Sequence, residues 1–280
     1  MAGLSRPLLS YEAPQTRHGW PRQRDPAAER GGLSLRGHDD MEVIRGMPDI
    51  HPDTGQPVGF RVDARPAVLP QAVTLTGRYG RVERLDAARH RASLWDAVAG
   101  HREIWTYMRY GPFADAAVFS DWLISREEAR DPFYYAIVDP SGRARGLASL
   151  MRIEPDMRVI EVGNILLGPS LQRTPLATEA QYLLARYVFE GLRYRRYEWK
   201  CDALNAASRR AALRLGFSFE GIFRDHMIIK GRSRDTAWFA MLETEWPARK
   251  AAFERWLAPE NFDANGAQKR RLGELMTAVL

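Results

Sequence analysis

The sequence predicts a mixed α/β domain of the α+β type, with a largely antiparallel central sheet flanked by helices. Three short, β-rich segments between residues 133 and 167 are separated by turns, which is typical of an antiparallel meander. After Thr174 the apolar spacing changes to that of a helix, and the chain then alternates between strand and helix before a final hairpin. This order of elements favours one sheet with helices packed against it.

The first half of the predicted domain combines one strand, two helices and the meander. A strand is expected near Val73, where apolar and polar residues alternate. Asp139 to Gly142 has the residues of a type I turn and separates two meander strands. The other predicted elements are helices over 86–100 and 115–130, an aromatic loop over 105–113, and strands over 133–138, 145–153 and 159–167.

The second half begins with a helix, because Thr174 is a suitable N-cap and Pro175 is tolerated at the first helical position. Its apolar face extends through Val188. Gly216 is the expected C-cap of the next helix. The later elements are a strand over 194–200, a helix over 205–215, a hairpin of 217–229 with 236–242, a helix over 246–257, and a loose polar tail after Asn261.

Composition indicates an ordinary folded protein rather than a membrane or disulfide-stabilised one. Of the 280 residues, 45% are hydrophobic, yet no run approaches the roughly 18 apolar residues of a membrane span. No secretory signal is visible and Cys201 is the single cysteine, so the expected setting is a reducing cytoplasm. The net charge of +6 disfavours dedicated nucleic-acid binding, because the basic residues are interleaved with acidic ones.

Two local motifs resemble those of a known enzyme family. In the segment from Gln172 to Ala180, the residues that match are Gln172, Ala177, Thr178, Glu179 and Ala180. Downstream, Asn205-x-x-Ser208 and Leu215-Gly216-Phe217 match a second signature. Together they resemble the GNAT superfamily of N-acetyltransferases, in the branch of the RimJ and RimL ribosomal-protein acetyltransferases, over residues 70 to 245. The resemblance implies a GNAT fold and acetyl transfer from acetyl-CoA to a primary amine.

The resemblance also divides the chain. Residues 1–46 are expected to be a disordered leader, with Met41 or Met47 as a possible true start. Residues 47–245 are expected to form the GNAT domain, and residues 246–280 a C-terminal helix and tail.

The start of the helix at Pro175 is the expected cofactor site. A helix N-terminus offers free N–H groups and a positive dipole end to a pyrophosphate. Family members have glycines where this chain has Arg173 and Pro175, and Pro175 donates no N–H. An ordinary capped core helix is the alternative. The residues assigned to acetyl-CoA by the resemblance are Gln172, Arg173, Thr174, Leu176, Ala177, Thr178 and Asn205, with backbone groups of Gly163, Asn164 or Ile165 at the thioester carbonyl.

Glu161 is the expected general base, since burial between apolar neighbours would raise its pKa. The alternative is a glutamate on the solvent face of the strand. Ser208 is the candidate to protonate the leaving thiolate, and the alternative makes Asn205 a turn residue and Ser208 a helix cap. Cys201 is interpreted as a small buried hydrophobe rather than a nucleophile.

The acceptor amine is expected near the aromatic loop, where Trp105, Tyr107 and Tyr110 would line the site. Packing of the loop over the core is the alternative. Asp225-His226 and Arg234-Asp235 either border the acceptor channel or face solvent. An open, acidic groove would favour a basic peptide, whereas a closed aromatic pocket would favour a small amine.

Four functions therefore remain open, one of which is nucleic-acid binding, suggested only by the net charge of +6. The first is N-acetylation of a protein N-terminus, and its nearest rival is acetylation of a small-molecule amine. The second class is a non-catalytic acyl-CoA-binding module, suggested by the missing glycines. A metal site is not expected, because the 6 histidines include no close pair at ligand spacing.

Overall fold

The computed structural model describes residues 48–277, and the chain divides between Val62 and Asp63 into two compact units. The described part of the first unit is a small antiparallel pair, β1 (Asp49–Ile50) and β2 (Pro57–Val58). Between the strands, Gly55 N donates to His51 O, as the turn-rich composition predicts. The predicted leader, residues 1–46, lies outside the described residues.

The second unit is built on an eight-stranded sheet in the order β3-β4-β5-β6-β7-β8-β10-β9. All neighbouring strands are antiparallel except β7 and β8. The strands are β3 (Thr74–Thr76), β4 (Arg81–Arg84), β5 (Phe133–Val138), β6 (Ala144–Glu154), β7 (Val159–Leu167), β8 (Arg196–Asp202), β9 (Ser218–Ile229) and β10 (Arg232–Leu242). The predicted mixed, largely antiparallel sheet is confirmed.

Helices cover both faces of this sheet, and alternate residues of β5 divide between two cores. Tyr134 and Ala136 pack with α1 and α2, whereas Tyr135 and Ile137 pack with α3 and α5. The helices are α1 (Ala87–Val98), α2 (Ala116–Glu127), α3 (Pro175–Arg186), α4 (Ala206–Arg214), α5 (Trp246–Leu257) and α6 (Leu272–Thr277). None of the helices between residues 48 and 277 is long and apolar enough to cross a bilayer.

Side-chain caps fix where four helices begin. Asp86, Asp115, Thr174 and Asn205 each accept a hydrogen bond from a backbone N–H of the first turn that follows. The α3 helix ends earlier than its apolar face predicts, because the chain continues from Tyr187 to Gly191 as a π-helical turn.

The structure differs from the sequence-based expectation in three elements. Strand β4 was not predicted, because Arg81 to Arg84 is mostly charged and short. Strand β10 begins at Arg232 rather than at Thr236, so the hairpin is longer than expected and only Lys230 and Gly231 form its turn. The tail after Asn261 is not loose: Leu272, Leu275 and Met276 are buried, because the apolar side of α6 packs against α5.

Candidate functional site

The two parallel strands β7 and β8 separate halfway along their length. Val159 to Val162 pair with Arg196 to Trp199, and the pairing ends there. Beyond this point β7 pairs only with β6, while β8 continues to pair with β10. A register shift against β6 and a positive φ of 50° at Asn164 mark a bulge in β7 at the same place. The separation leaves one backbone edge of residues 163–167 without a strand partner, which forms a cleft in the sheet.

The α3 N-terminus lies after this cleft and has two backbone donors to spare. Thr174 Oγ1 accepts from Ala177 N at 3.2 Å, and Thr178 N donates to Thr174 O at 3.4 Å. The amides of Arg173 and Leu176 have no acceptor among the described residues. Arg173 adopts a left-handed backbone with φ of 63°, the conformation that glycine prefers. Of the four backbone amides available for a pyrophosphate, those of Arg173 and Leu176 are therefore free, and those of Ala177 and Thr178 form hydrogen bonds within the helix.

Other residues of the first motif bond inside the protein. Both carboxylate oxygens of Glu179 accept from the β3–β4 turn, at 2.6 Å from Arg78 N and 2.8 Å from Tyr79 N. Thr178 Oγ1 accepts from Arg214, and Gln172 Nε2 donates to Leu167 O at the end of β7. These contacts join α3 to neighbouring elements, so much of the motif builds the fold.

The second motif lies at the junction of β8 and α4. Asn205 Oδ1 accepts from Ser208 N at 3.0 Å, which makes Asn205 the N-cap of α4. Ser208 Oγ accepts from Trp199 Nε1 at 3.0 Å. The serine hydroxyl also has a partner for its own hydrogen, because a hydrogen bond from Ser208 to the Cys201 thiol opposes part of the effect of burial on that thiol. Cys201 is buried, as interpreted from the sequence, and burial raises the pKa of its thiol.

Glu161 lies on β7 just before the cleft opens, and its side chain is only 7% exposed. The alternative of a solvent-facing glutamate is therefore wrong. Its Oε2 lies 3.1 Å from Lys200 Nζ and 3.5 Å from Arg152 Nε. Burial raises the pKa of Glu161, and the Lys200 ammonium counteracts only part of that effect. Gly163 lies two residues further along the same strand face. A Cβ at this position would meet Met151 Sδ at 2.4 Å and Glu161 Oε1 at 3.5 Å, so the glycine leaves this space to the methionine and the carboxylate.

Lys200 connects Glu161 to a second buried carboxylate. Its Nζ lies 2.6 Å from Glu198 Oε2 and 3.8 Å from the centre of the Trp238 ring. Burial opposes ionisation of Glu198, but hydrogen bonds from Lys200 and Arg196 lower its pKa overall. The sequence analysis missed this network. Its signal was the alternation in β8, where charged Glu198 and Lys200 alternate with aromatic residues of a buried strand.

Of the three aromatic residues predicted to line the acceptor site, one is packed in the core and two contact loops or strands near the cleft. Trp105 is buried and packs edge-on to Phe113 at 5.3 Å, so loop packing accounts for it. Tyr110 Oη donates to Asn164 Oδ1 at 3.4 Å, which places that ring beside the bulge. Tyr107 Oη donates to Leu204 O at 3.2 Å and so joins the aromatic loop to the β8–α4 loop.

The far side of Trp238 leads to an open cavity of about 600 Å³ on β9. Phe223 and His226 line this cavity, and their rings lie 4.5 Å and 6.0 Å from the Trp238 ring. His226 Nδ1 shares a 2.9 Å hydrogen bond with Thr236 Oγ1. Asp225 N donates a hydrogen bond to Asp235 Oδ1, so these two aspartates connect β9 with β10. Within residues 48–277, no group of histidine, cysteine, aspartate and glutamate side chains could hold a metal ion.

Comparison with known proteins agrees with this geometry. A family model described as an acetyltransferase (GNAT) domain matches residues 83–218. N-acetyltransferase p20 of Bacillus licheniformis, itself uncharacterized, is 29% identical over 149 residues, which cover 51% of this chain and 83% of the relative. The YdaF protein of Bacillus subtilis, provisionally named a ribosomal N-acetyltransferase, is 28% identical over 109 residues, which cover 39% and 59%.

The similarity to one solved structure covers nearly the whole length of that protein. A GCN5-related N-acetyltransferase from Brucella melitensis is 48% identical, with a TM-score of 0.75, and the match covers 76% of this chain and 98% of that one. Both the fold and the resemblance to the ribosomal-protein acetyltransferase branch are confirmed. The chain belongs to the GCN5-related N-acetyltransferase (GNAT) family of acyltransferases.

Proposed function

We propose that this N-acetyltransferase moves the acetyl group of acetyl-CoA to the α-amino group of a peptide or protein N-terminus by direct transfer. The observation that carries the proposal is the separation of β7 and β8 directly beside buried Glu161. A cleft with a free backbone edge suits an extended acyl carrier, and a buried carboxylate at its mouth suits proton removal from an amine.

The described residues fit acetyl-CoA as a co-substrate. The free amides of Arg173 and Leu176 at the α3 N-terminus suit the pyrophosphate. The unpaired edge of β7 from Gly163 to Ile165 suits the arm and the thioester carbonyl, with Asn205 at the opposite wall. When bound, acetyl-CoA supplies a thioester carbonyl, whose C–S bond breaks as the new C–N bond forms.

Glu161 then acts as the general base. It accepts the proton that the attacking nitrogen releases, and passes it to solvent afterwards. Ser208 exchanges its contact with the Cys201 thiol for the sulfur that leaves, donates its hydroxyl proton to that sulfur, and recovers a proton from solvent. Backbone N–H groups of the bulge around Asn164 stabilise the negative charge that develops on the carbonyl oxygen. Glu161 and Asn164 are held in position by β7, and Ser208 is held by α4 and by its hydrogen bond from Trp199.

An exposed acceptor surface supports a peptide over a small amine. Strand β9 is exposed along most of its length, and the cavity at Phe223 and His226 is open. YdaF, named as a ribosomal N-acetyltransferase, points in the same direction. The hydrogen bond from Tyr107 Oη to Leu204 O connects the aromatic loop with the β8–α4 loop. A site closed on that side would support the rival acceptor, a small-molecule amine.

The test combines binding and turnover. Calorimetric titration of acetyl-CoA is expected to show saturable binding to the full chain, weakened in Leu176→Pro, which removes one free amide. Leu176→Ala, which also shortens this buried side chain but keeps the amide, is the control. Released CoA is then followed with N-terminal peptides and with small amines. Turnover of small amines alone would favour the rival acceptor, and binding without any turnover would favour a non-catalytic acyl-CoA-binding module.

A further inference from the structure

Four cationic side chains surround His226 on the open side of the sheet. Burial lowers the pKa of His226, and the charges of Arg234, Arg152, Lys200 and Arg109 lower it further. The ring is therefore in positive surroundings, although Glu161 and Glu198 lie on the same sheet face. This charge differs from that of the open, acidic groove that would favour a basic peptide.

Two of the three carboxylates on this face, those of Glu161 and Glu198, have cationic partners, whereas Asp202, opposite Thr236 on β10, forms no ion pair among the described residues and its charge acts on Arg234. Glu161 contacts both Arg152 and Lys200, and Glu198 contacts both Lys200 and Arg196. Arg234 differs, because its guanidinium has neither a hydrogen bond nor an ion pair with any residue in the described part of the chain. Its Nε is excluded from solvent, and burial lowers the pKa of its guanidinium. A buried, unpaired donor of this kind is costly unless a ligand completes it.

A continuous chain of contacts joins Arg234 to the proposed base. Arg234 and Trp238 lie on β10, with Thr236 between them on the same face. The Trp238 ring covers Lys200 Nζ, which contacts Glu161. The cavity at His226 opens against the same tryptophan. A ligand whose amine reaches Glu161 would therefore extend along β10 towards Arg234.

We propose that Arg234 is the centre of an anion subsite for the acceptor, so that the preferred substrate is a peptide N-terminus with an acidic side chain close to its amine. This inference rests on the proposed acetyltransferase function. Arg234 lies four residues from Trp238, roughly 13 Å along the strand. An extended peptide advances about 3.3 Å per residue, so a peptide whose amine lies beside the Trp238 ring, where Lys200 contacts Glu161, has its acidic side chain among the first four residues.

The test uses three peptides of equal length with the same first residue and with glutamate, glutamine or lysine at positions two to four. Turnover is followed by CoA release, and peptide binding to the CoA-saturated protein is measured by calorimetry. The wild-type chain is expected to prefer the glutamate peptide over the glutamine peptide by roughly tenfold or more in kcat/KM, with a matching order of Kd.

Charge variants separate a subsite from general attraction to a basic protein. Arg234→Gln is expected to remove the preference while leaving the Kd of acetyl-CoA unchanged, and Arg234→Glu to favour the lysine peptide. Arg232→Gln, an exposed arginine two residues away on the same strand, removes the same charge and should keep the preference.

The outcomes separate this inference from the proposed function. Equal turnover of all three peptides would leave the acetyltransferase function intact and overturn the anion subsite, as would a preference that survives in Arg234→Gln. Selective binding of the glutamate peptide without CoA release would support the subsite and contradict the proposed acceptor. If none of the peptides binds, the subsite is overturned.

Discussion

The segment that carries the family motif and the sheet face that carries Glu161 differ in how their polar groups are satisfied. In the motif, Thr174, Thr178 and Glu179 each have partners within the protein. On the sheet face, buried polar atoms lack hydrogen-bond partners. Arg234 Nε and Trp238 Nε1 are such atoms among the described residues, whereas Lys200 Nζ and Glu161 Oε2 form an ion pair.

This difference separates what a motif reveals from what a site requires. Glu179 belongs to the motif, and its carboxylate attaches the β3–β4 turn to α3. The face around Glu161 is stabilised less well by its own contacts, since buried polar atoms without partners destabilise a fold. Such atoms are retained where a ligand or a reaction uses them.

Removal of the Glu161 carboxylate should have the largest effect on catalysis. We expect Glu161→Gln, which keeps the shape and loses the base, to lower kcat by about 10²–10⁴-fold in the CoA-release assay. The Kd of acetyl-CoA should change little. Glu154→Gln, an exposed glutamate on the adjacent strand β6, is the matched control. If Glu161→Gln keeps more than about a tenth of wild-type activity, the base lies elsewhere.

Removal of the Lys200 ammonium should cost stability. Lys200→Met leaves two buried carboxylates facing each other, so the free energy of unfolding should fall by about 3–5 kcal/mol. Without the ammonium the pKa of Glu161 rises further above its unfolded value, so the folded state binds more protons and stability decreases as pH rises. The deficit should therefore be smaller at pH 5 than at pH 8 in urea unfolding.

Lys250→Met is the control for that experiment, because Lys250 forms an ion pair with Glu190 on the surface. Its effect should stay within about 1 kcal/mol at either pH. A Lys200→Met variant as stable as wild type at pH 8 would show that the two carboxylates do not depend on the ammonium.

Glu179→Ala tests the opposite side of the comparison. It leaves the amides of Arg78 and Tyr79 without their acceptor, and we expect a loss of about 2–3 kcal/mol in the free energy of unfolding. Acetyl-CoA should bind the folded variant with nearly unchanged Kd. A large loss of affinity without a loss of stability would instead make Glu179 a cofactor residue.

Arg173 should give the smallest effect. Its backbone is left-handed, so Arg173→Gly should raise the free energy of unfolding by about 1 kcal/mol. Arg173→Ala keeps the Cβ and should leave stability unchanged. Comparison of acetyl-CoA binding in the two variants separates the guanidinium from the backbone: weaker binding in both would assign the side chain to the phosphates.

Much of the fold was predictable from sequence, because turns and apolar spacing are local signals. The meander, the helix that begins at Pro175 and the final hairpin all follow from residue patterns. Strand β4 was missed, since its sheet position depends on pairing with β5 rather than on its own charged residues. Helix α6 was not predicted, because it is short and its few apolar residues are buried only where they pack against α5.

The site was predictable only in part. Glu161 was identified from its position in an apolar strand, and its burial is confirmed. Lys200 was not identified, and for Arg234 the acceptor channel and the solvent both stayed open, because the environment of both residues depends on the register between β8 and β10, which no local pattern specifies. Sequence therefore indicated the enzyme family and the buried glutamate that we propose as the base, whereas the charge around the proposed acceptor surface required the assembled sheet.

The pH dependence of kcat/KM tests most directly whether the sheet face at Glu161 is the reactive centre. With a peptide acceptor, the wild-type rate should rise with pH through an apparent pKa above the ordinary glutamate value of about 4.3, because burial raises the pKa of Glu161. That limb should be absent in Glu161→Gln, leaving only the titration of the acceptor amine. If wild type and Glu161→Gln give the same profile at similar rates, Glu161 is not the base and the account is wrong.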